Sequence, residues 1–230
     1  MREIVLDTET TGLDPADGHR IIEIGCVELV GHVPTGVEFH RYLNPERNVP
    51  PESQRVHGLS EEFLADKPLF ADIAEDFSAF LGDAPLVIHN ASFDIKFLNA
   101  EFLRVMRPAI PLARTIDTIE IAKAKIPGAR YSLDELCKRF GIDLSARVKH
   151  GALLDAQLTA RIYLELAGGR QTRLKLAPAD SEIVVADGIL ASIVRQRPAP
   201  LPRRLSADEA AAHAQFVARE LGSDAIWNWR

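Results

Sequence analysis

The sequence predicts an α/β layer in which strands come first and helices pack around them, followed by a linker and a short helical tail. Two observations carry this. Over residues 1–169, short β-branched runs alternate with stretches whose apolar residues recur at helical spacing. The charge balance then changes sign, from −8 over residues 1–169 to +2 over residues 170–230, within a whole-chain net charge of −6.

Ile4-Val5-Leu6 is a short apolar run. The segment 21–30 is rich in β-branched residues, and after a turn at Gly31 the segment 37–43 follows, which together predict a three-stranded antiparallel meander. Pro85-Leu86-Val87-Ile88 reads as a fourth strand buried on both faces. Ile73, Phe77, Phe80 and Leu81 have helical spacing before it, and Phe93, Phe97, Leu98 and Phe102 after it. Further helices are expected over 115–125, over 133–140 with Ser132 as N-cap, and over 152–166, where Gly168-Gly169 stops the pattern. This sets the first domain at 1–169. Ala177-Pro178-Ala179 and Pro198, Pro200 and Pro202 mark 170–205 as linker, because proline fixes an extended backbone and donates no hydrogen bond. In 206–230, Ala210, Ala214, Val217 and Leu221 return to helical spacing ahead of Trp227 and Trp229.

The composition excludes several classes. With 230 residues, 47% of them hydrophobic and 26% charged, the chain can bury an ordinary core and is no disulfide miniprotein. Cys26 and Cys137 lack zinc-ligand spacing and suit a reducing compartment. The opening Met1-Arg2-Glu3 puts charges where a signal peptide needs an apolar run, and 183–194 is broken by Asp187 and Gly188, well short of the about 20 apolar residues that cross a bilayer. A soluble, cytoplasmic protein with no membrane partner is expected. The acidic balance argues against a broad basic coating for nucleic acid, yet leaves room for a local contact with phosphate through a metal ion.

Carboxylates carry the chemical signal. Asp7 and Glu9, two apart at the end of the first strand, share one face. At about 4 Å and an effective dielectric near 20 such a pair costs roughly 4 kcal/mol, which a cation offsets; a solvated strand end is the plainer alternative. Asp94 follows the fourth strand in His89-Asn90-Ala91-Ser92-Phe93-Asp94, where Asn90 or Ser92 can cap the helix and Asp94 can simply complement its dipole. In His150-Gly151-Ala152-Leu153-Leu154-Asp155, the carboxylate falls in the first turns of a helix and His150 in the loop before it.

This ordered set resembles the DEDDh class of 3′→5′ exonucleases, with residues 7–13, 89–94 and 150–155 matching its three motifs and about 3–167 covered. The resemblance implies an RNase H-like fold, a mixed central sheet flanked by helices. It also implies that Asp7, Glu9, Asp94 and Asp155 hold two divalent ions, Mg²⁺ or Mn²⁺, with Asp7 bridging them and His150 as general base. A DNA 3′ end is the implied substrate, contacted by Asp7, Thr8, Glu9, Thr10, Asn90 and Asp155; 55–60 resembles a segment lining the nucleotide pocket, which adds His57, for which a plain loop place stays open.

The tail adds partners. Gln171, Leu174 and Leu176 resemble the Gln-led, Leu-anchored peptides that dock on bacterial sliding clamps, here with Leu176 where an aromatic is frequent. Trp227 and Trp229 suit interface anchors, with a fold-back on the nuclease as the alternative. Nuclease and tail together resemble the proofreading exonucleases of bacterial DNA polymerase III, which implies the polymerase alpha subunit and the beta clamp as partners. A stand-alone DNA- or RNA-trimming nuclease and a silent clamp-polymerase tether are the competing readings.

Overall fold

Strands β1 (Arg2–Thr10), β2 (Ile21–Val30) and β3 (Val33–Tyr42) form the expected antiparallel meander in the computed structural model, which describes residues 1–168 and 206–221. The β2–β3 turn needs only Gly31 and His32, both left-handed at φ 59° and 67°, the two-residue geometry that suits strand twist. β3 therefore begins at Val33 and ends at Tyr42, rather than spanning 37–43. β4 (Leu86–Ile88) is buried throughout and runs parallel to β1.

One correction concerns 115–125. Thr115–Asp117 is a fifth strand, β5, parallel to β4, and only Thr118–Lys125 is helix (α5). The β-branched Thr115 and Ile116 complete the sheet, and the Asp117 side chain accepts from Ile119 N at 2.8 Å to start the helix. The sheet order is β3-β2-β1-β4-β5.

Helices α1 (Pro51–His57), α2 (Glu61–Leu64), α3 (Phe70–Leu81), α4 (Ala91–Arg104), α6 (Leu133–Phe140) and α7 (Ala152–Ala167) complete this part. Ser60 caps α2 by accepting from Phe63 N, whereas Ser132 takes the N-cap place of α6 without a side-chain bond. The alternation of β1 sorts the core: Ile4 and Leu6 pack with Ile24, Phe77, Phe97 and Leu98 on one face. Val5 packs on the other face with Val27, Val87, Ala156, Ala160 and Tyr163 of α7. Tyr163 Oη donates to the buried Glu3 at 2.8 Å, and Arg20 clamps the buried Glu101 with two hydrogen bonds of 2.7 and 2.9 Å, tying β2 to α4.

Residues 207–216 form α8, capped reciprocally by Ser206 and Glu209, and its last turn continues to Leu221, as the apolar spacing predicted. No helix among the described residues is long and apolar enough to cross a membrane.

Candidate active site

Alternation puts Asp7 and Glu9 on the face of β1 that Val5 shows to α7. Asp155 lies in the first turn of that helix and is 3% exposed. What lets the helix come so near is Gly25, the β2 partner of Asp7: a Cβ there would stand 2.2 Å from the Leu153 amide nitrogen. Glu9 lies opposite Glu23, also buried, which adds a carboxylate the motifs did not point to. Asp94, in the first turn of α4, is buried and accepts from Thr8 N at 3.0 Å and Thr8 Oγ1 at 2.7 Å, so β1 and α4 are pinned together at the cluster.

The cap of α4 departs from expectation. Asn90 occupies the N-cap in a left-handed conformation with no side-chain cap bond, and Asp117 of β5 accepts from Asn90 N and Ala91 N instead. Two parallel strands bring that carboxylate under the helix, which nothing local in 89–94 announces. Asn90 itself is exposed and its side chain accepts from Ser92 Oγ. His89 bonds Thr118 Oγ1 through Nδ1 at 2.8 Å.

Withdrawal from water and mutual repulsion weaken the acids. Asp7 is raised well above the usual carboxylate range by burial first and then by Asp94, Glu9, Asp155 and Glu23. Burial and Asp155 push Glu9 up to about 8. Burial raises Asp94 to about 7 against the opposing hydrogen bonds from Thr8. His150 lies at the rim, half exposed, with Nδ1 3.6 Å from Asp155 Oδ2; burial and Arg147 hold its pKa below the ordinary value, so the ring is neutral at pH 7. Ligand atoms of Glu9, His150 and Asp155 lie within 4.8 Å of one another. A set dominated by carboxylate oxygens, short of positive charge, fits hard divalent cations.

Arg147, absent from the motif reading, is the one cation inside this set among the described residues. Its Nε and Nη2 each donate to Asp155 at 2.6 Å, Nη1 donates to Asp134 at 2.8 Å, and Nη2 donates to His150 Nδ1 at 2.9 Å. Its position three residues before His150 was a signal available in the sequence, but its partners were not.

Beside the acids opens a cleft of about 530 Å³ lined by Thr8, Glu9, Thr10, Thr11, Leu13, His57 and Phe93, among others. Thr10 Oγ1 donates to Gly12 O at 2.6 Å, holding the loop after β1. His57 is buried; Nδ1 accepts from Leu59 N at 3.0 Å, which leaves the proton on Nε2, and that atom has no hydrogen-bond partner among the described residues. Phe93 and the exposed Leu13 supply apolar walls to which the motif reading gave no role. Gln171, Leu174, Leu176, Trp227 and Trp229 lie outside the described residues.

The described residues thus form a mixed five-stranded sheet with a buried carboxylate cluster at the end of its central strand, next to an open cleft, an arrangement suited to metal-assisted chemistry. Residues 4–163 match the RNase T exonuclease family, and the chain belongs to it. The chain is 57% identical over 186 residues to DNA polymerase III subunit epsilon of Rickettsia typhi, covering 80% of this chain and 81% of that one. To the subunit of the same name from Escherichia coli it is 42% identical over 236 residues, covering 98% and 97%. Among solved structures, Exonuclease X in complex with 5′ overhanging duplex DNA aligns at a TM-score of 0.56 and 27% identity, over 71% of this chain and 89% of that one. Exonuclease I shares the fold at a TM-score of 0.62 and 19% identity, over 72% and 40%.

Proposed function

We propose that this chain is the proofreading 3′→5′ exonuclease of a bacterial DNA polymerase III, removing mispaired nucleotides from a DNA 3′ end. The observation that carries it is the convergence of Asp7, Glu9, Asp94 and Asp155, from three separate segments, beside a cleft large enough for a terminal nucleotide. Identity to epsilon subunits over nearly the whole chain, tail included, favours this over a stand-alone trimming nuclease. The filled acid positions speak against a silent tether.

Asp7, Glu9, Asp94 and Asp155 would hold two divalent ions, Mg²⁺ or Mn²⁺. Bound there, such ions supply an activated water and charge stabilisation of the departing 3′ oxygen in an in-line displacement. The residues do the rest. Thr8 anchors Oδ1 of the Asp94 carboxylate through two hydrogen bonds and leaves Oδ2 to the cluster. His150, neutral at working pH and half exposed, takes up the water's proton at Nδ1, the ring atom that faces Asp155. His57 lines the cleft that receives the terminal nucleotide, Leu13 and Phe93 flank the base, and Thr10 and Asn90 complete the contacts expected of the substrate set. Residues Gln171, Leu174 and Leu176 dock on the beta clamp, and Trp227 and Trp229 on the alpha subunit.

The test is single-turnover cleavage of 5′-labelled primer-templates, paired or mispaired at the 3′ end, and of a matching RNA, with Mg²⁺, Mn²⁺ or chelator. The expected result is metal-dependent shortening from the 3′ end, fastest on mispaired DNA. Equal turnover in chelator, or preference for RNA, overturns the reading.

A further inference from the structure

Arg147 is nearly enclosed, with 7% of its side chain exposed, and it engages two groups that the reaction needs, Asp155 and His150. Both oxygens of Asp155 accept from it, each at 2.6 Å, and His150 Nδ1 accepts from Nη2 at 2.9 Å. A carboxylate gripped by both oxygens keeps a second lone pair on each, but a positive charge already sits against it and repels an incoming cation, and a nitrogen that accepts from a guanidinium has no lone pair to give to a water proton. The arrangement is therefore closed to chemistry, although every participant is in place.

We infer that Arg147 is the resident counter-ion of the active site, a positioning residue that holds Asp155 and His150 until a divalent cation displaces it. This rests on the reading of Asp155 as ligand and His150 as base. The guanidinium answers a problem visible in the geometry: several acids share one buried site, and a planar fork can satisfy a carboxylate where a hydrated ammonium cannot. A doubly charged ion competes for the same oxygens, repels the guanidinium and frees both Asp155 and His150 Nδ1 together. Asp134, bonded to Nη1 at 2.8 Å and about half exposed on α6, keeps hold of the displaced side chain at the edge of the site. Metal loading and release of the base thus become a single event.

The test is Mn²⁺ binding by the full-length protein, read from the free-ion signal in electron paramagnetic resonance, for wild type, Arg147→Gln, Arg147→Lys and Asp134→Asn. Because binding no longer has to break the ion pair, Arg147→Gln should bind Mn²⁺ about tenfold tighter or more, and its metal-free melting temperature should fall while the Mn²⁺-induced rise grows. Arg147→Lys, a point charge without the fork, should lie between the two. Asp134→Asn should move the other way and weaken Mn²⁺ binding, since the displaced guanidinium loses its second partner. Unchanged or weaker Mn²⁺ binding in folded Arg147→Gln or Arg147→Lys overturns the proposal and makes Arg147 a buttress of the loop. If wild type binds no Mn²⁺, or Asp155→Asn binds it equally well, the ligand reading itself fails, a separate result.

Discussion

Glu9, with its carboxyl pushed up to about 8, and Asp94, near 7, make the metal-free protein sensitive to pH. Their unfolded values are near 4, so between the two limits the native state holds protons that the unfolded chain has released, and stability falls as pH rises. Histidines oppose this lower down: His57, His89 and His150 are all depressed below 6.5 in the fold, chiefly by burial, and so favour the native state as pH climbs toward that value. Above 6.5 they are neutral in both states and the acids act alone. Thermal unfolding in chelator should therefore show stability dropping from pH 6.5 to about 8, and saturating Mn²⁺ should flatten the curve. A flat curve in chelator would mean that Glu9 and Asp94 are not withdrawn from water in the metal-free fold. At the same scale, His150→Ala should lower kcat by about 10²–10⁴-fold while Mn²⁺ binding survives, because carboxylates supply most of the ligands. Asp155→Ala should abolish turnover in a folded protein. An unchanged kcat for His150→Ala would leave the imidazole a structural part of the loop.

Two contacts between elements set the site, and each can be perturbed alone. Gly25 gives α7 its close approach to β2, where an added methyl would meet backbone rather than a side chain that could swing away. Gly25→Ala should cost about 1–3 kcal/mol by overpacking. Its effect on turnover should exceed that, because relief of the clash moves Asp155 away from Asp7. Chemical denaturation read beside single-turnover rates separates the two, and full activity in a destabilised variant would refute the link. Asp117 spans the ends of β5 and α4 and accepts from backbone amides at the start of two helices. Asp117→Ala should lose about 1–2 kcal/mol, the usual worth of an N-cap, measured by the shift in denaturation midpoint at constant slope.

Across the whole molecule the described residues fall in two units, one holding 1–168 and the other 206–221. The core of the first is closed by its own helices: α3 and α4 cover one face of the sheet and α7 the other. Deleting 176–230 should leave a soluble nuclease that still trims single-stranded oligonucleotides but no longer co-purifies with the alpha subunit. Trp227→Ala with Trp229→Ala in the full chain should weaken that association by about thirtyfold or more, as expected when a buried interface Trp worth about 2 kcal/mol is lost. Calorimetry against the alpha subunit measures it, and wild-type affinity would place the anchors elsewhere in the tail.

The sequence alone determined the meander, the short buried β4, α7 and the order of the acidic motifs, because each rests on local periodicity or on residues a few positions apart. Ile4-Val5-Leu6 cannot alternate faces without carrying Asp7 and Glu9 to the α7 side of the sheet, and the spacing at Ala210 and Ala214 is enough to foresee α8. Thr115-Ile116-Asp117 was not legible as a strand, since three residues have no period of their own and become a strand only against β4. The same holds for Asp117 as the cap of α4, for Glu23 opposite Glu9, for Gly25 under Leu153, and above all for Arg147. A charged side chain in a loop looks solvated in sequence, and its meaning depends on which buried partners the folded chain places within 3 Å of it. Tertiary structure decided those partners because hydrogen bonds and ion pairs act over a few ångströms in space, whatever the separation along the chain.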